Sequence, residues 1–278
     1  MDAPERFEVA AGGLTLRGES AGEGPSMILL HGLTATRDVV VHRSKGLIRG
    51  GLRQVAYDAR GHGESDPAPP GAGYSYAELA ADLAAVAEAQ AAGGPLVAVG
   101  NSMGAHTAAA YALAHPDRLT GLVLVGPAYA GAIHAADLER WDRLAAALEA
   151  GGVDGFCAEV VRGLDPAWRE TVERFTRARM MRHRDLAAQA RALREVPRSR
   201  PFGSLAELER LEVPALVVAS RDEADPHHPY AVAAEYAERL PRARLVSEEP
   251  GDPPLAWQGG RLAREILAFC AELGLCQP

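Results

Sequence analysis

Apolar residues fall along this chain in two alternating rhythms, short dense runs and longer stretches spaced for one face of a helix. Glu5 to Ala10 and Leu14 to Ser20, separated by Gly12-Gly13, predict a β-hairpin at a sheet edge. Ser26 to Leu30 is a continuous apolar run, the pattern of a strand buried on both faces of a parallel sheet. Arg53 to Asp58, Leu96 to Val99, Leu119 to Val125, Pro214 to Ser220 and Ala243 to Ser247 predict further strands. Between them, Val39 to Arg49, Tyr76 to Ala92, the alanine-rich stretch after Ser102, Pro229 to Leu240 and Gly260 to Leu273 predict helices. The second of these carries Ser75 as N-cap with Glu78 three residues on, and stops at Gly93-Gly94-Pro95. Such alternation implies a mostly parallel, doubly wound α/β sheet.

The alternation pauses between about Pro127 and Glu212, where helical patterns (Ala135 to Ala150, Trp168 to Arg194) occur without a convincing strand. A structureless loop of roughly 85 residues is improbable, so this region reads as a helical insertion. The expected division is a core of residues 1–128 and 213–278 with an insertion over 129–212.

The chain has 278 residues, enough for a sizeable core, and a formal charge of −8, which argues against a nucleic-acid surface. No apolar run approaches the roughly 18 residues of a membrane span, and Met1 to Arg6 lack the basic and apolar regions of a signal peptide. A cytoplasmic protein with neither a nucleic-acid nor a membrane partner is the expectation. Cys157, Cys270 and Cys276 have no metal-type spacing and read as free thiols; no metal or other cofactor is expected.

The candidate chemistry centres on Gly100-Asn101-Ser102-Met103-Gly104, which follows a β-branched run and opens the alanine-rich helical segment. In that strand, turn, helix context Ser102 is a candidate nucleophile at a sharp, strained turn. Two more motifs stand upstream: His31-Gly32 after Met27-Ile28-Leu29-Leu30, and Tyr57-Asp58-Ala59-Arg60-Gly61-His62-Gly63-Glu64-Ser65. In order and spacing the three resemble those of the α/β-hydrolase superfamily.

The resemblance implies an α/β-hydrolase fold over nearly the whole chain, with the insertion forming a helical cap above the site. It also implies an oxyanion hole built from the backbone N–H groups of Leu33 and Met103. The triad acid would follow the strand ending at Ser220. Asp225, four residues ahead of Pro229, fits the family's loop, and Asp222 is the alternative. The family's histidine would follow Ala243 to Val246, but Ser247 to Pro254 contains none, and Asp252 occupies the expected place. Removal of the base costs characterised serine hydrolases on the order of 10⁶ in turnover, so a substitute matters.

Three substitutes are open. His228 lies in the Asp225 loop, which the resemblance places at the mouth of the site; Asp225 and Asp252 together could share a proton; and the insertion offers His134 and His183. The arginines of the insertion, Arg162 to Arg194, are expected to pair with neighbouring carboxylates on exposed helix faces. The leading expectation is a serine hydrolase of a small ester, thioester or related acyl substrate. The alternatives are a degenerate member that binds a small molecule, and a cofactor-free lyase or isomerase using the same pocket. Oligomeric state and substrate identity are not legible in the sequence.

Overall fold

The structure is a computed structural model that describes residues 3–221 and 227–277. In chain order the elements are β1 (Glu5–Ala11), β2 (Leu14–Ala21), β3 (Ser26–Leu30), α1 (Gly46–Arg49), β4 (Arg53–Tyr57), α2 (Tyr76–Ala91), β5 (Leu96–Asn101), α3 (Met103–Ala114) and β6 (Gly121–Val125). The three helices α4 (Ala135–Val160), α5 (Pro166–Met180) and α6 (Leu186–Glu195) follow. The chain closes with β7 (Ala215–Val218), α7 (Tyr230–Arg239), β8 (Ala243–Val246) and α8 (Gly259–Glu272). One eight-stranded sheet results, in the order β1-β2-β4-β3-β5-β6-β7-β8. Pairing is antiparallel for β1 with β2 and β2 with β4, and parallel elsewhere.

The central strands are apolar without alternation because both faces are covered: every residue of β6 and β7 is buried. On one face Leu83 and Val86 of α2, Ala108 of α3 and Tyr236 of α7 close the core. On the other, Leu47 of α1 packs with Leu262, Ile266 and Phe269 of α8. Between β6 and β7 the described residues contain helices and no strand. Those helices bury Leu144, Leu148, Phe156, Met180 and Leu193 in one cluster with Leu33 and Tyr74 of the sheet's loops and Tyr76 and Met103, the first residues of α2 and α3. No helix among the described residues is long and apolar enough to cross a membrane.

Most predicted elements form close to their expected limits, including the capping box of Ser75 and Glu78 at the start of α2. Two do not. The segment Val39 to Arg49 is not one helix, because His42 and Arg43 take positive φ (46° and 57°), which stops helical propagation and leaves only the four residues of α1. The Trp168 to Arg194 pattern divides into α5 and α6, since Asp185 caps a new helix by accepting the Ala188 N–H at 2.9 Å.

The loop after β4 is anchored by a buried ion pair. Arg60 donates from Nε to Asp82 Oδ2 (2.7 Å) and from Nη2 to Oδ1 (2.8 Å), and from Nη1 to the Gly73 carbonyl (2.9 Å). Both residues are buried, so the two-pronged geometry offsets a large desolvation cost and joins the Arg60–Ser65 loop to α2. Removing one partner strands a charge. Arg60→Met is expected to destabilise the fold by about 3–5 kcal/mol, and the double variant Arg60→Met/Asp82→Leu to recover a large part of that loss. Urea unfolding of the three proteins is the check; equal loss in the single and double variants would show that the pair's geometry, not the stranded carboxylate, sets the cost.

Candidate active site

The chain passes from β3 to β4 on one side of β3 and returns to form β5 on the other. The connections therefore part at the carboxyl ends of β3 and β5, the place where open α/β sheets form a crevice. Leu33 lies just beyond β3, and Ser102 just beyond β5.

Ser102 adopts φ 52° and ψ −113°, a strained backbone for a residue with a Cβ. Space dictates the neighbouring glycines: a Cβ on Gly100 would stand 2.1 Å from the Gly104 carbonyl oxygen, and one on Gly104 would stand 2.3 Å from that of Leu30. Strand, turn and helix thus approach at backbone contact. The turn is held by the Ser102 N–H donating to the Val125 carbonyl (2.9 Å) and by the His106 N–H donating to the Ser102 carbonyl (3.1 Å).

The Ser102 hydroxyl lies 2.8 Å from Nε2 of His228, geometry in which Oγ–H donates to an unprotonated ring nitrogen. His228 stands just before α7, which begins after Pro229, and its ring faces Gly126 at the end of β6. Gly126 has φ +56°, and a Cβ there would come within 3.4 Å of the imidazole Cδ2. Asp222 and Asp225 lie outside the described residues. Asp252 is exposed, and its partner is Arg261 at 3.2 Å. The structure brings His228, and not Asp252, into hydrogen-bond contact with Ser102.

Met103 follows Ser102 in the chain, and a Cβ on Gly32, the residue before Leu33, would stand 3.4 Å from the Ser102 Cβ. The Gly32 carbonyl accepts from the Ala35 N–H (3.0 Å) and from His31 Nδ1 (2.8 Å), which fixes the Gly32–Leu33 peptide plane. In a trans peptide the Leu33 N–H then points the opposite way from that carbonyl. Met103 is the first residue of α3, where the helix ladder supplies no acceptor for its N–H and the helix dipole is positive.

Four other histidines, His31, His62, His106 and His183, are buried against backbone groups. His106 Nε2 accepts the N–H groups of Ala128 (2.9 Å) and Tyr129 (3.0 Å), and Nδ1 meets the Tyr76 hydroxyl at 2.9 Å. Burial lowers its pKa to about 3, so it is neutral and orders the loop after β6. His31, His62 and His183 form a buried row with ring centroids 5.0 and 5.6 Å apart. Burial lowers all three, His183 to about 3. His183 accepts the Gly63 N–H at Nδ1 (3.1 Å), while His134 is exposed at the start of α4. Several arginines pair along helix faces, Arg162 with Glu159 (2.7 Å) and Arg177 with Glu173 (3.0 Å) among them.

Sequence reasoning passed over Glu248, two residues beyond β8. It is buried, and its Oε1 accepts the Arg221 N–H, which joins the exits of β7 and β8. Its signal was a carboxylate in an otherwise loop-like segment, too weak to single out.

The family model described as the alpha/beta hydrolase fold matches residues 25–259. Epoxide hydrolase B of Mycobacterium tuberculosis is 35% identical over 109 residues, covering 39% of this chain and 30% of that protein. The 2-(acetamidomethylene)succinate hydrolase of Mesorhizobium japonicum is 32% identical over 117 residues, 42% of this chain and 41% of that one. The matched stretch thus spans less than half the length of either relative. A thermophilic esterase from Thermogutta terrifontis has the same fold, with a TM-score of 0.80 at 23% identity over 97% of this chain and 99% of the other. On the extent of the family match, the chain belongs to the alpha/beta hydrolase fold family.

Proposed function

We propose that this protein is a serine hydrolase of a small ester, thioester or related acyl substrate, with Ser102 as nucleophile and His228 as its base. The observation that carries the reading is the 2.8 Å contact between Ser102 Oγ and His228 Nε2 at a strained turn opening a helix. In this mechanism Nε2 takes the hydroxyl proton as Oγ bonds to the acyl carbon, and the carbonyl oxygen becomes an oxyanion. The N–H groups of Leu33 and Met103 receive that charge. His228 then returns the proton to the leaving group, and the acyl-serine is released by a water that His228 deprotonates in turn. Asp225 is the proposed orienting acid, Asp222 its alternative, and residues 129–212 the cap that closes the site from water.

Nucleophile chemistry favours acyl transfer over the ring opening named for several relatives. Attack of Ser102 on an epoxide carbon would leave an ether, which water does not cleave, whereas attack on an acyl carbon leaves an ester that it does. A serine at this turn therefore completes a cycle only on acyl substrates.

Intact-mass labelling with a fluorophosphonate probe tests the reading. One adduct is expected on the wild type and none on Ser102→Ala or His228→Ala, with turnover of p-nitrophenyl butyrate falling on the order of 10⁶-fold in Ser102→Ala. Unchanged labelling of His228→Ala would remove it as the base, and no labelling of folded wild type would favour a binding or non-hydrolytic protein. Gly126→Ala is a finer probe, since a Cβ there strains a positive φ directly beneath the imidazole, which it meets at van der Waals distance. Its kcat for the same ester is expected to fall as the backbone relaxes and carries the ring with it, by less than the roughly 10²-fold of a full 1 Å misplacement. A wild-type rate would show that the ring does not need its present seat.

A further inference from the structure

The oxyanion-hole residue is gripped from above as well as from below. Its carbonyl, Leu33 O, accepts from Gln189 Nε2 at 2.7 Å and faces His62 Nε2 at 2.7 Å, a donor in the tautomer that carries its proton there, since His62 Nδ1 faces another carbonyl, that of Arg60, at 2.8 Å. His62 comes from the loop after β4. Gln189 comes from α6, in the insertion, and is the helix's fully buried polar residue. Because a carbonyl oxygen can only accept, the amide nitrogen of Gln189 must be the atom facing it, and the orientation of the side chain is settled by its partner. Its Oε1 is left buried with no partner among the described residues. A side chain that leaves an acceptor unpaired in order to place its donor indicates a demand for that donor.

The insertion holds the same loops at neighbouring points. The Arg184 N–H donates to the Gly63 carbonyl (3.0 Å), the Gly63 N–H donates to His183 Nδ1 (3.1 Å), and Arg182 pairs with Asp38. These contacts fasten the insertion to the sheet's loops, and the Gln189 bond runs from the insertion to the backbone of the residue that offers the N–H.

We propose that Gln189 is a positioning residue for catalysis: by holding the Leu33 carbonyl from the cap, it keeps the Leu33 Cα, and with it the adjoining N–H, seated against the oxyanion, so that the hole is fully held only when the cap is docked. The inference rests on the serine hydrolase reading above. Its physical basis is that the Leu33 N–H lies in the Gly32–Leu33 peptide plane and the Leu33 carbonyl in the next one, the two planes meeting at the Leu33 Cα. The first plane is held by Ala35 and His31, and the second by Gln189, with His62 Nε2 facing the same carbonyl. Without the Gln189 bond the second plane can swing and the shared Cα can shift, and a donor that must reorganise during the reaction stabilises the developing charge less well than a fixed one.

The test compares wild type, Gln189→Met and Gln189→Glu. Methionine matches the shape and cannot donate; a glutamic acid donates when protonated and repels the carbonyl when ionised. With p-nitrophenyl butyrate, Gln189→Met is expected to lose about tenfold or more in kcat, less than the roughly 10²- to 10³-fold typical of removing a hole donor outright, with KM within about threefold. Gln189→Glu is expected to approach the wild-type rate as pH falls and to depart from it as pH rises, a profile that a packing role would not produce. In ¹H–¹⁵N spectra the Leu33 amide should shift in Gln189→Met while amides of α8 stay in place.

A wild-type kcat and an unmoved Leu33 amide in Gln189→Met would overturn the proposal, as would a pH-independent deficit in Gln189→Glu. Should Gln189→Met fail to fold, the pH profile of Gln189→Glu decides alone. Fluorophosphonate labelling of the wild type separates the two readings: no adduct means that the serine hydrolase reading has failed and takes this one with it. An adduct together with an unaffected Gln189→Met means that only the role of Gln189 has failed.

Discussion

The structure depends on the backbone approach at the end of β5. With Gly100 and Gly104 in contact through their main chains, and a Cβ excluded at both, Ser102 is forced to positive φ between them. That conformation costs on the order of 1–3 kcal/mol, and it persists because strands buried on both faces and the α3 helix over-determine it. Once the turn is fixed, the start of α3, the Met103 N–H and the seat for an incoming imidazole follow. The buried Arg60–Asp82 pair and the histidine row do similar work one loop away, where they hold the chain that backs Leu33.

Delivery of the imidazole is the unusual part. His228 reaches Ser102 from the connection between β7 and α7, whereas the family's pattern places the histidine beyond the next strand. Two features accommodate it: a glycine at the end of β6 against which the ring lies, and a carboxylate, Glu248, that ties the exits of β7 and β8 together where the missing residue would be. The proposed base and the proposed acid then travel on one stretch of chain.

The parts of the fold governed by periodicity and local chemistry were legible in the sequence. The hairpin about Gly12-Gly13, the capping box at Ser75 and the continuous apolar strands each have causes within a few residues, so pattern alone found them. Val39 to Arg49 misled because its apolar pattern could not reveal the positive φ of His42 and Arg43, and Val40 and Val41 are buried in the core beneath α8 without continuing a helix. The nucleophile candidate was legible because its motif carries its own geometry. His228 could be named but not placed, since its distance from Ser102 depends on how two segments 126 residues apart meet. Gln189 gave no signal at all; a single glutamine in a helix acquires meaning only from the carbonyl that faces it.

The parallel sheet also divides the molecule into two rims of different character. Leu33, Ser102, Met103 and His228 follow the carboxyl ends of strands, while the turns that enter β4 and β5 run along the other rim. There, Gly51, Gly93 and Gly94 have open space where a side chain would project. For an engineer or for natural drift these are separate territories: an insertion at residues 93–94 would start from backbone with nothing within 4 Å of a projecting Cβ, and the reacting end would be separated from it by the length of the strands.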